Sequence, residues 1–246
     1  MRASRAIQLA FVAVLFALWW QATHGWHVSA LLLPTPLAVL LRARVLISSG
    51  EVWTPLAATA IEVAGAFSLS AVIGLALGVF IARAGLRIRV AEPLLTALNA
   101  IPAILFFPLF TLVFGLGAGS KIALGATIGV FPIALNTISG LSNVERPLIT
   151  AAISMGASRM ALLRHVLLPA AAPSVLAGLR IGLTLSFLAV LGGETIASFD
   201  GLGHQIADAA DNMEAATMYA YILVVVLVAA VLNQALARLD GFGQRR

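Results

Sequence analysis

Long apolar segments with almost no charge recur along this chain, and they limit what it can fold into. Of its 246 residues, 61% are hydrophobic and only 10% are charged, whereas soluble domains carry about a quarter charged residues. A bilayer can solvate so much apolar surface if each segment bonds its own backbone groups, as a helix does. We therefore predict an all-α membrane protein with about six transmembrane helices, forming a single domain over residues 1–246.

The predicted spans follow the apolar segments in order. Residues 6–23 form the first span, which ends in two tryptophans, as is typical of a membrane interface; a cleaved signal peptide is the competing interpretation. The core spans lie between about residues 63 and 237. They are residues 63–82, 94–114, 122–139, 176–198 and 218–237.

Basic residues are distributed unequally between the two sides of these spans. Eleven fall on one side and three on the other, with Arg180 near the inner end of the fifth span. The positive-inside rule then predicts that both termini lie in the cytoplasm. The eleven are Arg2, Arg5, Arg83, Arg87, Arg89, Arg146, Arg159, Arg164, Arg238, Arg245 and Arg246; the three are Arg42, Arg44 and Lys121.

One interior stretch, residues 150–173, mixes basic residues, small residues and prolines between two apolar segments. Gly156 can take the left-handed conformation that ends a helix, and Ser158 can cap the next helix. Pro169 and Pro173 are expected to stop the pattern before the next span. These features predict two short helices joined at a break, although a basic loop on the inner membrane surface explains them equally well.

The order of residues in this stretch resembles the "EAA" signature of binding-protein-dependent ABC importer permeases. Thr150 stands where that signature usually has glutamate. The resemblance implies that residues 141–175 form a cytoplasmic coupling segment that docks on a separate ATPase subunit. The matching positions are Ala151, Ala152, Gly156, Val166, Leu168 and Pro169; Ser158, Arg159 and Arg164 lie among them and belong to the same predicted coupling site.

Further motifs are similar to the nitrate/sulfonate/taurine branch of these permeases. They include Leu33-Pro34-Thr35-Pro36 and the Gly193-Glu194 pair followed by Gly201-Leu202-Gly203. The resemblance implies a type I ABC importer (MetI-like) permease fold, a multi-pass location in a bacterial inner membrane and pairing as a homodimer. It also implies an ABC ATPase and an extracytoplasmic solute-binding protein as partners, with ATP and Mg²⁺ on the ATPase and no cofactor on this chain. The implied solute is a small organic or inorganic anion such as a sulfonate, taurine or nitrate.

Four residues inside the predicted spans are candidates for a gate or translocation path. A carboxylate within a span costs about 2.5–3.5 kcal/mol on insertion scales. We therefore expect Glu194 to bond to a neighbouring span or a backbone N–H and to shape an outer gate, since its charge would repel an anionic solute. For Asn136, a helix–helix hydrogen bond competes with a path role. For Pro102 and Pro108, plain helix kinks compete with it.

Other classes of function find little support. The four histidines are scattered and no cysteine is present, so no catalytic or metal site is predicted. Residues 115–121 end in Gly-Ser-Lys after an apolar span, which is the wrong order and context for a phosphate-binding loop; a tight external turn is expected there. The net charge of +5 is explained by basic residues in the loops on one side of the membrane, so it does not indicate nucleic-acid binding. An ion-coupled secondary carrier is the alternative function.

Overall fold

The computed structural model describes residues 2–25, 28–82 and 88–243, and in these ranges the chain is helical with no strand. Arg83, Arg87, Arg245 and Arg246 lie outside them, and the predicted orientation of the termini stays a prediction. The helices are α1 (Arg2–His24), α2 (Pro36–Ser49), α3 (Trp53–Ala82), α4 (Ile88–Asn99), α5 (Phe107–Phe114), α6 (Ala118–Ser142), α7 (Arg146–Ser154), α8 (Arg159–Leu162), α9 (Leu168–Ile196), α10 (Leu202–Asp211) and α11 (Ala215–Gly243).

The all-α membrane fold is confirmed. Within the described ranges, four helical runs are long and apolar enough to cross a membrane, or five if a bent pair counts as one span. The four are residues 53–82, 118–142, 159–196 and 215–235, and the bent pair is α4 with α5. The predicted first span falls within α1, whose side chains are described only in part, so its membrane crossing stays a prediction.

The predicted third span is broken, so the expectation of a continuous helix kinked at Pro102 and Pro108 is wrong. The two halves meet at 72° across a short break. Pro102 is extended, with ψ of 95°, at the start of a 3-10 turn over Ala103–Phe106, and Pro108 lies in the first turn of α5. A proline in a first turn needs no partner for its missing N–H, so both prolines start helical segments.

The predicted stop at Pro169 and Pro173 is also wrong. Helix α8 passes through a π-helical turn over Leu163–Leu167 directly into α9. Pro169 occupies the first turn of α9, and Pro173 lies inside it. The π turn changes the spacing of the backbone hydrogen bonds directly before Pro169, so the missing N–H of Pro169 does not end the helix. Residues 159–196 therefore form one 38-residue helical run.

Helices α3, α6 and α9 pack together and form the core of the molecule. Gly74 and Gly78 let α3 approach α6 closely, because a Cβ atom at Gly78 would lie only 2.5 Å from the Thr137 Cβ. Ile133 and Val190 are fully buried among these helices. A second apolar cluster, around Leu46, Val52, Leu202 and Tyr221, packs α2, α10 and α11 against the end of this core.

Candidate functional site

The break between α7 and α8 has the local structure that the sequence predicts. Gly156 has a φ of +80°, and the Ala157 N–H donates to the Ala152 carbonyl at 3.0 Å, which closes the end of α7. The Ser158 hydroxyl accepts from the Ala161 N–H at 3.2 Å and caps α8. Since a Cβ at Gly156 would meet no atom within 4 Å, the backbone conformation alone makes glycine suitable there.

Apolar side chains project from this segment into open space. Met155 is 81% exposed. Leu163, in contrast, turns inward onto Leu141 and Ala171. We call the exposed apolar side chains the coupling surface: Leu148, Ile153, Met155 and Met160.

The predicted coupling residues divide between this exposed side and the molecule's interior. Ala152 is buried against the rest of the chain, and Val166 is half-buried in the π turn. The others are exposed. They are Ala151, Gly156, Ser158, Arg159, Arg164, Leu168 and Pro169. Their role in coupling stays a prediction.

At the opposite end of α9, Glu194 is buried and fully bonded. Its Oε1 accepts from the Thr59 hydroxyl at 2.7 Å, and its Oε2 accepts from the Gly203 N–H at 2.8 Å. Thr59 in turn accepts from the Leu202 N–H at 2.9 Å. A Cβ at Gly201 would overlap the Glu194 carboxylate, so only glycine fits there. The sequence predicted a neighbouring span or a backbone N–H as the partner of Glu194, and Glu194 has both. Its role in a gate stays a prediction.

A buried ion pair lies beside Glu194, and the sequence interpretation missed it. Lys121 Nζ lies 2.9 Å from Glu62 Oε1, and both side chains are about 95% or more buried. The external turn predicted for residues 115–121 is therefore wrong for its last four residues, because α6 begins at Ala118. Lys121 lies in the first turn of α6 and not in a loop. Lys121 also donates to the Ser198 hydroxyl at 2.6 Å. Two features of the sequence could have indicated this ion pair. Lys121 is the chain's sole lysine, and Thr59 and Glu62 lie on the same face of a helix.

The four side chains Thr59, Glu62, Lys121 and Glu194 form what we call the buried charged cluster. It joins α3, α6 and α9, and through Gly203 it also holds the start of α10. The Ser198 hydroxyl accepts a hydrogen bond from Lys121 and donates one to the Asp200 carbonyl at 2.6 Å. It thereby fixes the loop before α10. The cluster can therefore hold the chain segment after α9 against three helices.

Asn136, Pro102 and Pro108 do not join this cluster. The Asn136 side-chain amide donates to the Pro132 carbonyl of its own helix at 2.8 Å, so the expected helix–helix hydrogen bond is wrong. The Asn136 Cβ packs closely against Gly178 of α9, since a Cβ atom at Gly178 would lie only 2.6 Å from it. Along α6, Asn136 is four turns away from Lys121. Pro102 and Pro108 are exposed at the break between α4 and α5. Their part in a path stays a prediction.

Comparison with known proteins identifies the family. Residues 74–242 match the family described as "Binding-protein-dependent transport system inner membrane component". The chain belongs to this family. It is therefore a permease subunit of an ABC transporter, located in a bacterial inner membrane, and this favours the permease interpretation over the ion-coupled secondary carrier. The matched region contains the coupling surface, Lys121 and Glu194, whereas Thr59 and Glu62 precede it.

Curated relatives extend the similarity to nearly the whole permease. The taurine transport system permease TauC of Escherichia coli is 30% identical over 96% of this chain and 89% of its own. A putative aliphatic sulfonates permease, SsuC of Bacillus subtilis, is 32% identical over 88% and 78%. A riboflavin permease, RibX of Chloroflexus aurantiacus, is 34% identical over 80% and 74%.

A solved structure has the same fold as the permease. A chain of the MetNI methionine ABC transporter, in an inward-facing conformation, superposes with a TM-score of 0.67 at 23% identity. The superposition covers 76% of this chain and 93% of that one. The MetI-like fold inferred from the sequence resemblance is therefore confirmed.

Proposed function

We propose that two copies of this permease form the path for a small organic sulfonate, and that a separate ATPase drives transport by docking on the coupling surface. The observation that carries this proposal is the uninterrupted helical run over residues 159–196. It begins in the coupling segment and ends at Ile196, two residues after Glu194. At 1.5 Å per residue, 38 residues extend about 57 Å. Such a run exceeds a hydrocarbon core of about 30 Å and can carry a displacement from one side of the membrane to the other.

The proposed mechanism is alternating access. In this proposal the ATPase binds ATP and Mg²⁺, and the permease binds neither. A conformational change follows only if the ATPase has different affinities for the inward- and outward-open permease. Movement of α7 and α8 would pass through the π turn into α9, and from there to the buried charged cluster. In this proposal Glu194 closes an outer gate by holding Gly203 and Thr59 together and does not touch solute.

The choice of a sulfonate rests on the relatives. Two of those described above are named for taurine or aliphatic sulfonates, but a third, of similar identity, is named for riboflavin. An extracytoplasmic binding protein delivers the solute in this proposal. The one cation of the buried charged cluster, Lys121, is itself buried and therefore does not offer a binding site to an anionic solute. This agrees with a gate role for Glu194.

Docking can be tested by placing a charge in the coupling surface. Met155→Glu should release the ATPase from the purified permease, because the carboxylate would have to be desolvated in an apolar interface. Met213→Glu is the matched control, since Met213 is 71% exposed but lies beyond the other end of α9. Equal retention of the ATPase by both variants would contradict the proposed docking site.

The solute can be tested in proteoliposomes that contain the permease, its ATPase and the binding protein encoded beside them. Labelled taurine should accumulate only with ATP, and unlabelled short alkyl sulfonates should compete for uptake. Riboflavin should not compete. ATP-dependent uptake of riboflavin without uptake of taurine would overturn the sulfonate assignment while leaving the permease mechanism intact.

A further inference from the structure

Helix α2 carries apolar side chains on two faces. Val39 and Leu46 are buried on the face that packs against the rest of the chain. Leu37, Leu40 and Leu41 follow each other at helical spacing and form a second apolar face, and each of them is more than half exposed. We call these three side chains the leucine face. Within the described ranges no protein covers it, although a helix that is apolar on both sides is expected to be buried.

Aromatic residues mark the depth of both ends of α2. Before its start, the Trp19 indole N–H donates to the Pro34 carbonyl at 3.0 Å. The Tyr219 hydroxyl donates to the Leu32 carbonyl of the same turn at 3.4 Å. After the end of α2, the exposed Trp53 begins the span α3. Because tryptophan and tyrosine at the ends of spans lie at the membrane–water interface, both ends of α2 are at the depth of that interface.

The contacts between α2 and α11 show that α2 lies across the end of this span. The turn before α2 bonds to Tyr219, and from the middle of α2 the Arg42 Nε donates to the Thr217 hydroxyl at 3.0 Å. Val52, which follows α2, packs in one apolar cluster with Tyr221. Residues 217–221 cover only about 6 Å along α11, whereas the 14 residues of α2 extend about 21 Å. Helix α2 therefore crosses α11 and runs in the plane of the membrane.

We propose that α2 is an interfacial helix whose leucine face inserts between the lipid acyl chains just below the headgroups. Helices of this kind bury their apolar face about 5–10 Å deep at that boundary. Arg44 is exposed beside the leucine face, and its long side chain can reach the headgroup phosphates. A soluble protein would have to reach leucines at the depth of the aromatic residues, so lipid is the partner that the observations favour. This inference is independent of the solute and of the ATPase.

Fluorescence quenching in vesicles tests the position of the leucine face. The chain has no cysteine, so Leu40→Cys offers one site for an uncharged fluorescent label. The purified complex would be reconstituted into phosphatidylethanolamine and phosphatidylglycerol vesicles. A lipid nitroxide at the top of the acyl chain should quench this label, and iodide in the water should not. Asp211→Cys is the control, since Asp211 is an exposed charged residue at the end of α10, shortly before α11 begins. Its label should show the reverse pattern, with a several-fold lower ratio of lipid to iodide quenching.

Three other outcomes would each overturn the proposal. Iodide quenching at Leu40 equal to that at Asp211 would place the leucine face in water. Iodide quenching that disappears when the solute-binding protein is added would make the leucine face a docking surface for that protein. A Leu40 label that neither quencher reaches would show that a second copy of this chain covers it. Leu41→Cys repeats the measurement on the same face if Leu40→Cys fails to assemble.

Discussion

At the scale of single residues, two positions show different reasons for residue choice. Thr59 uses one hydroxyl twice, donating to Glu194 and accepting from the Leu202 N–H. Gly156 makes no close contact, and its φ of +80° alone favours glycine. The first position depends on hydrogen bonds in a buried site and the second on backbone conformation in an exposed one. Each therefore predicts its own mutational outcome.

Thr59→Val removes both hydrogen bonds at nearly constant volume. It leaves Glu194 and the Leu202 N–H short of a partner in a buried site, which should cost about 2 kcal/mol. The melting temperature should fall by about 4–8 °C. Thr54→Val, on an exposed turn of the same helix, is the control and should melt like the parent. Equal melting of the two variants would show that Thr59 does not hold the gate.

Gly156→Val and Gly156→Asn separate backbone strain from side-chain size. Neither side chain meets an atom within 4 Å at its Cβ. However, asparagine tolerates the left-handed conformation, whereas a β-branched residue does not. We expect the valine variant to lose ATPase-coupled uptake and the asparagine variant to keep most of it, with both present in the membrane at parental levels. Normal coupling in the valine variant would argue against a fixed α7–α8 turn.

At the scale of helices, the close packing of α3 on α6 depends on two glycines one turn apart. Cβ atoms at Gly74 and Gly78 would lie 2.8 Å and 2.5 Å from the Cβ atoms of Ile133 and Thr137. Because these neighbours are β-branched and buried, they cannot rotate away. Gly74 and Gly78 therefore serve packing within one chain.

Gly78→Ala should destabilise the permease by about 1–3 kcal/mol through overpacking. Gly192→Ala is the matched control, because a Cβ there meets nothing within 4 Å and alanine favours a helix. Thermal unfolding in detergent should rank the parent above Gly78→Ala and should leave Gly192→Ala at or above the parent. The opposite order would contradict the close α3–α6 contact.

The sequence was sufficient for features that depend on local chemistry. Apolar length predicted four of the five core spans, and a glycine followed by a serine predicted the α7–α8 break. It failed where distant residues decide the outcome. It also failed at Pro102 and Pro169, because a proline can kink, break or start a helix, and residue type alone does not decide which. The Glu62–Lys121 pair joins helices far apart in the chain, so neither residue alone predicts the contact.

At the scale of the whole molecule, one continuous helix connects two separate sites. The coupling surface lies before the start of α9, and the buried charged cluster lies at its end. The 29 residues of α9 alone extend about 44 Å. Such an arrangement serves transport only if another protein binds the coupling surface and displaces it. Our account therefore requires a partner ATPase that binds the coupling surface.

Native mass spectrometry tests this requirement most directly. A tagged permease would be extracted in mild detergent from cells that express its neighbouring genes, and the mass of the intact assembly measured. The account predicts two copies of this chain with two copies of an ATPase, and loss of the ATPase in Met155→Glu. This chain without an ATPase, together with uptake driven by an ion gradient, would contradict it.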